Sequence, residues 1–527
     1  MKKDQRGHIV LPAYSLDDEL NAQSSKKQHQ RVWWSMIAAL LAVILSLVGI
    51  TAGYATWGGS SANGQISIGL QLAPTNLDIR STAGTSLDQL LVGNVYEPLL
   101  SRNSDNTVSA GIAQSWEVND ARTQYTFHIN RNVTFSNGDA LNAQDVVWSI
   151  TTMMEQQLQG YSEMTNYQSV SAPDDYTVVL NLSAPFSELL WTLSGRPGLV
   201  FDKDAQYDAK TQAVGSGPFV LSAYTPSVSA TLTARDDYWG AHKAQLQTVK
   251  IIYYADAQAS LNALISGDVQ VIAPISAQLI SAIQDDTRFN VKAGDGTDKY
   301  VLAFNNKTGV LTDKRIRQAI RYAIDNEAII ASRGGTDAAL GGPIPSLDPG
   351  YEDLTDLYPT DLDKATQLMK EAGYSTDNPL NLRLTYANIY PAEIGQQLRS
   401  QLEKIGINLT VERTEFASWL SGVYKNHDYD ISLVDHNESH DFAQWAMPDY
   451  YYGYDNAEVQ QLYAQAMQAR TDTERDKLLA QAARIVSEDA AADWLFNFRV
   501  VTAWDKNVEG FPLNMNQVVM PLWEVSI

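Results

Sequence analysis

The stretch whose reading decides the fold is AGIAQSWEVNDARTQYTFHINRNVTFSNGDALNAQDVVWSI, Ala110 to Ile150. Thr123 to Phe135 alternates apolar and polar residues, the period of a half-buried strand. SNGD, Ser136 to Asp139, is turn chemistry, and ALNAQDVVWSITTMM then starts a helix. The same interleaving continues outward. QISIGLQL, Gln65 to Leu72, alternates as a strand does. Asn381 to Ile389 predicts a strand, Pro391 to Ile405 a helix with its proline near the first turn, and Ile407 to Glu415 a strand again. That trio is a βαβ unit, which implies parallel strands and a right-handed crossover. Gln460 to Val486, rich in Ala, Gln and Leu, predicts a helix. The class is α/β, in at least two lobes.

A chain of 527 residues has room for more than one domain and for a large core. Apolar residues make up 44%, which points to globular structure through most of the chain. The chain has no cysteine, so disulfides, thiolate metal sites, a cysteine nucleophile and a lipid-modified N-terminal cysteine are all excluded. The formal charge is -23, from 38 basic and 61 acidic residues. A nucleic-acid partner is disfavoured, because no basic stripe exists to neutralise phosphates.

VWWSMIAALLAVILSLVGITAGY, Val32 to Tyr54, carries no charge. A membrane-spanning helix needs about twenty such residues. Trp33, Trp34, Tyr54 and Trp57 stand at its ends as interfacial anchors do, and Lys26, Lys27 and Arg31 precede it. The positive-inside rule then places residues 1–31 in the cytoplasm and everything after Tyr54 outside. A cleaved signal peptide is the competing reading, with small residues near Ala52 and Ala55. The long segment before it and the length of the apolar run favour an uncleaved single-pass anchor in the cell membrane. GGSSANG, Gly58 to Gly64, reads as a flexible tether.

Ala110 to Ile150 resembles the signature region of the bacterial extracellular solute-binding proteins, family 5, which serve oligopeptide, dipeptide and nickel ABC importers. The matching residues are Ala113, Ser115, Trp116, Phe127, Phe135, Gly138, Asp145 and Val146. Asn142 stands where threonine is usual, and Asn130 sits just before the arginine. Further matches follow in the family's order: GSGPF (Gly215–Phe219), RDDYW (Arg235–Trp239), FNNKTGVLTDKRIRQAIRYAID (Phe304–Asp325), AGY (Ala372–Tyr374), LEKIGI (Leu402–Ile407) and YYYGYDNAEVQQLYAQA (Tyr450–Ala466). The resemblance covers residues 65–527. The lipid-modified cysteine of most Gram-positive members is missing, as is the proline usual within EDAAADWLF.

The resemblance implies a periplasmic-binding-protein-like clamp (type II) of two lobes, with an extra inserted domain, here preceded by one transmembrane helix. Beyond the cytoplasmic segment 1–31, the anchor 32–54 and the tether 55–64 read from hydropathy, it divides the chain into lobe I (65–104, 213–298 and 499–527), inserted domain II (105–212) and lobe II (299–498). It places hinge segments near Lys299–Asn306 and Asp493–Val501. It implies a monomeric binder without cofactor or catalytic residues, which closes on a peptide and delivers it to permease subunits. Oligosaccharide or a nickel chelate is the alternative ligand on the same fold. A membrane-anchored hydrolase and a peptide-sensing receptor are the alternatives of other classes. No HExxH or GxSxG occurs, and no two acids are convincingly paired for glycoside hydrolysis.

LVDHNESHDFAQW, Leu433 to Trp445, holds three acids, two histidines and a tryptophan. In peptide-binding relatives an aspartate after a strand here pairs with the ligand's α-ammonium. By spacing Asp441 matches that acid best, and Asp435 is the alternate; the bland reading makes both solvated or helix-capping residues. His436 and His440, four apart, would share one helical face and form a weak alternative metal pair. The bland reading makes them part of a polar loop lining the cleft. By motif position Trp419, His436, His440, Trp445, Trp494, Phe496 and Asn305 are expected near the pocket, with Thr85 and Ser86 from the opposite lobe.

Overall fold

The structure, a computed structural model, describes residues 64–514 and 519–527, and the backbone of a short strand pair, Lys2–Lys3 with Ile9–Val10. The expected membrane span Val32–Tyr54 and most of the tether lie outside the described residues. Among the described residues no helix is long and apolar enough to cross a membrane.

Two large sheets organise the molecule. The first has seven strands in the order Phe219–Thr225, Ser229–Ala234, Thr248–Tyr253, Gln65–Leu70, Val271–Ala273, Val501–Asp505 and Phe289–Ala293. The second has five: Ile407–Thr414, Leu380–Ala387, β2 (Ile431–His436), β1 (Lys299–Phe304) and β3 (Ala492–Asn497). A four-stranded antiparallel sheet, built from residues 113–182, stands between the first and later segments of the seven-stranded sheet in sequence. Each of the three has its own buried apolar cluster.

The chain crosses between the large sheets twice, at residues 294–298 and 498–500. The segments expected as hinges, 299–306 and 493–501, fall largely in β1 and β3. These two strands pair antiparallel with each other, so their backbone groups are committed to a ladder and the turning is left to the short connections.

The deciding stretch folds largely as read. Gln124–Ile129 is a strand and Ala143–Gln156 a helix. Asn142 caps that helix by accepting from Gln144 N at 2.8 Å, while Asp145 Oδ2 accepts from Asn142 N at 2.9 Å. Leu380–Ala387 and Ile407–Thr414 pair in parallel through the helix Ala392–Glu403, as the βαβ pattern predicts. Gly406 closes that helix at φ +83, where a Cβ would stand 2.4 Å from the Ser375 carbonyl carbon, so only glycine fits. The helix expected over Gln460–Val486 is two, Ala457–Met467 and Asp472–Glu488. Thr471 Oγ1 accepts from Glu474 N at 3.1 Å and caps the second.

The recurring motifs stitch the framework. A Cβ on Gly215 would lie 2.0 Å from Val95 O, so GSGPF lets two backbones meet. Glu97 accepts from Ser216 Oγ at 2.8 Å, Tyr238 OH at 2.7 Å and Trp239 Nε1 at 2.9 Å, which ties GSGPF and RDDYW to one buried carboxylate. Burial pushes the Glu97 carboxyl up to about 7 against those three donors. In the helix Lys314–Ala323, Arg317 donates to the carbonyls of Ala490 and Asp489, and Arg321 pairs with Asp493 at 3.3 Å.

Candidate functional site

The central strands of the second sheet bring chemistry to the crossovers. β1 starts directly after the first crossover and β3 ends directly before the second. Tyr300 on β1 is paired with Asp435 on β2 and with Phe496 on β3, so the three share one face of the sheet. Tyr300 stacks on Phe496 with centroids 4.5 Å apart, and Tyr390 meets Tyr300 edge-on at 5.9 Å. The amide of Asp435 donates to the Tyr390 hydroxyl at 3.2 Å. Burial, reinforced by the Asp435 carboxylate, pushes the Tyr300 hydroxyl well above its ordinary value. Arg333, at the end of the helix Asn326–Ser332, holds its guanidinium carbon 4.4 Å from the Phe496 centroid and 5.4 Å from that of Tyr300. The result is a carboxylate and a guanidinium flanking an aromatic floor beside the crossovers.

Asp441 stands in a different setting. The Lys299 ammonium reaches its Oδ2 at 3.2 Å, and Gln444 Nε2 donates to the same oxygen at 2.6 Å. Lys299 is 1% exposed and also donates to the carbonyls of Glu438 (2.8 Å) and Thr297 (3.0 Å). Burial works against its charge, but Asp441, Asp348 and Glu438 outweigh it and hold the ammonium's pKa above the usual value. Asp441 is therefore one half of a buried ion pair that braces the loop after β2 against the first crossover, where Thr297 Oγ1 also donates to Asn437 O at 3.2 Å.

The two histidines do not share a helical face. His436 ends β2, is buried, and contacts Tyr451 OH through Nε2 at 3.0 Å. Burial pushes its pKa down to about 4, so the ring is neutral. His440 has left-handed backbone, φ +57, and turns the other way. Its ring stacks on Trp191 at 3.9 Å, with Nδ1 3.0 Å from Glu188 Oε1. Arg102 stacks on the same tryptophan at 3.9 Å. His440 thus joins the loop after β2 to the segment that carries Glu188 and Trp191. His436, Glu438 and Asp441 do offer three donor atoms within 4.8 Å of one another. The Lys299 ammonium already contacts two of these residues and supplies the positive charge a cation would bring there.

Several expected wall residues lie in the lobe II core instead. Trp419 is buried and donates to Ser432 Oγ at 2.9 Å. Trp445 stacks on Tyr452 at 4.3 Å and Trp494 lies 5.4 Å from Trp445. Asn305 donates to the carbonyls of His427 and Tyr429. All four side chains are buried, so motif position alone did not separate wall from core. Phe496 is buried too, but directly beneath Arg333 and Tyr300. Thr85 and Ser86 are half-buried in the first turn of the lobe I helix Thr85–Leu91. Tyr300, Tyr390, Arg333 and Lys299, which surround Asp435 and Asp441, were not among the residues expected there. The signal for Lys299 was present in DKYVLAF, a lone lysine opening an apolar strand.

Residues 107–458 match the model of the bacterial extracellular solute-binding proteins, family 5 Middle, over more than half of the chain. The chain belongs to that family. Its members bind solutes and are not enzymes, which removes the hydrolase alternative, and the binding part of the chain is extracytoplasmic. Among curated relatives, the probable D,D-dipeptide-binding periplasmic protein DdpA of Escherichia coli (strain K12) is 26% identical over 477 residues, covering 85% of this chain and 91% of that protein. The oligopeptide-binding protein OppA of Bacillus subtilis (strain 168) is 23% identical over 544 residues, covering 93% and 97%. Among solved structures, HbpA2 from Haemophilus parasuis superposes with a TM-score of 0.78 at 22% identity, covering 88% of this chain and 99% of that one. The shared fold is the two-lobed periplasmic-binding-protein architecture.

Proposed function

We propose that this solute-binding protein captures peptides between its lobes, with Asp435 as the acid that takes the ligand's α-ammonium, and passes them to an ABC permease. One observation carries the choice of acid. Asp435 sits beside the crossovers on the sheet face it shares with Tyr300, and Asp441 is bound into the loop brace through Lys299. A binder that accepts many peptide sequences needs contacts to what all peptides share, and a partly buried carboxylate gives a charge-assisted bond to the terminal ammonium. The names of the relatives support a peptide ligand. Lobe I (65–104, 213–298, 499–527) and lobe II (299–498) act as the jaws, with 105–212 as the inserted domain. Closure shifts the population toward the form that holds ligand. The uncharged run Val32–Tyr54 anchors the chain to the membrane, with the binding part outside.

The full chain, extracted and purified natively, is expected to release short peptides on denaturation, identified by mass spectrometry. Release of oligosaccharide or a metal chelate in their place would contradict the peptide reading.

A further inference from the structure

We propose that Glu188 is a positioning residue for capture: through its tie to His440 it latches the jaws together and sets how long a peptide stays bound, without touching the peptide. The proposal rests on the reading of 299–498 as one jaw, with the segment 102–192 carried by the other, and adds what holds the two closed.

The segment 102–192 is fixed at its base to the first jaw. Arg196 Nε donates to Asp88 Oδ1 of the helix Thr85–Leu91 at 2.6 Å, and its Nη1 donates to the carbonyls of Ile79 and Thr82. Further out, the same segment meets the second jaw along a buried polar face. Asn106, with left-handed backbone at φ +67, donates through Nδ2 to Asp348 Oδ1 at 3.1 Å and to Ser439 Oγ at 2.8 Å. Ser187 N donates to Met467 O at 2.8 Å, and Ser187 Oγ to Ala466 O at 2.9 Å. These carbonyls end the helix Ala457–Met467, where acceptors outnumber the helix's own donors. Glu188 follows directly, with Oε1 3.0 Å from His440 Nδ1. Trp191, one turn on, lies 3.9 Å from the His440 ring and 3.9 Å from the Arg102 guanidinium.

Glu188 is singled out by its lack of any other tie. Asp348 keeps partners on its own jaw when the jaws part, because Ser439 Oγ and the His440 amide both donate to it. The Glu188 carboxylate and the His440 ring have no other side-chain hydrogen bond among the described residues, so parting the jaws strands both until water reaches them. A hydrogen bond to a carboxylate is also stronger than one between neutral groups. The two side chains are 10% and 5% exposed, so neither presents a surface to a ligand. The latch still reaches the floor of the site through the chain. His440 precedes Asp441, Lys299 holds Asp441 at 3.2 Å, and Lys299 precedes Tyr300.

The chain has no cysteine, so two introduced cysteines can carry spin labels without competing sites. Ser171→Cys, on the strand Tyr167–Asp174, and Lys477→Cys, on the helix Asp472–Glu488, are both exposed, and pulsed electron spin resonance of the labelled full chain reads the separation of the jaws. Glu188→Ala is expected to move population from the short to the long distance. Glu188→Gln, which keeps an acceptor for His440 Nδ1, should restore most of it. Radiolabelled alanyl-alanine, chased with unlabelled dipeptide, should leave Glu188→Ala about 10-fold faster than the unsubstituted chain, with little change in the association rate and partial return in Glu188→Gln. Unchanged distances in Glu188→Ala overturn the latch, and so does a lowered unfolding midpoint without a change in distances, which marks a purely structural contact. Failure of alanyl-alanine to bind the unsubstituted chain counts against the peptide reading instead, and the distances, which need no ligand, then decide the latch alone.

Discussion

Asp435→Asn is expected to weaken binding of free-amine peptides about 30-fold or more while leaving the unfolding midpoint nearly unchanged. The magnitude follows from removing one member of a charge pair and leaving the ligand's ammonium poorly matched, a loss of about 2 kcal/mol or more. The side chain lies on the sheet face shared with Tyr300, its amide bonded to the Tyr390 hydroxyl, and asparagine keeps its shape. Titration of the two proteins with one peptide, alongside their thermal melts, checks both halves. Asp441→Asn is the instructive contrast, because it removes the partner of Lys299 and should act on stability first. Loss of affinity confined to Asp441→Asn would return the anchor role to that residue.

The second large effect is structural. Lys299→Met is expected to destabilise lobe II by about 3–5 kcal/mol, because it leaves the buried carboxylate of Asp441 without its counter-charge. The carbonyls of Glu438 and Thr297 also lose a donor, so the loop after β2 loses its brace to the first crossover. Replacing both members, Lys299→Met with Asp441→Leu, should recover much of the loss, since a buried apolar pair does not need the charge compensation that a single orphan does. Denaturant unfolding monitored by tryptophan fluorescence reads this directly, with Trp419, Trp445 and Trp494 all inside the lobe II core. A single substitution as stable as the unsubstituted protein would show that the pair is not buried as described.

The framework was legible because it is repetitive and local. Glycines at close backbone approaches, arginines that bind carbonyls at helix ends and the acid that gathers RDDYW leave fixed residue types at fixed spacings. The glycines and arginines among them carried the family resemblance, as did Tyr238, and Gly215, Arg317, Arg321 and Tyr238 each prove to hold elements together. The βαβ unit was legible from periodicity alone. The break between the two C-terminal helices carried a signal too, Thr471 followed by Glu474, but the alanine-rich run on either side outweighed it.

The site was less legible because its members come from distant segments. Asp435 and Asp441 look alike in sequence. What separates them is Lys299, more than a hundred positions upstream, which is the partner of one and not of the other. His436 and His440 suggested one helical face, yet the left-handed backbone at His440 sends its ring to Trp191. The tryptophans of the expected wall are buried, and aromatic residues fill a core as readily as they line a pocket. Tyr300 meets Asp435 and Phe496 only through cross-strand register.

The most direct test of the central claim is the affinity of the full chain for a free-amine dipeptide beside that of the same dipeptide N-acetylated, measured in one calorimetric series with the Asp435→Asn variant. Acetylation removes the ammonium and leaves the rest of the ligand intact. The account predicts that acetylation weakens binding to the unsubstituted chain about 30-fold or more and changes binding to Asp435→Asn little. Equal affinity for both forms in the unsubstituted chain would contradict it.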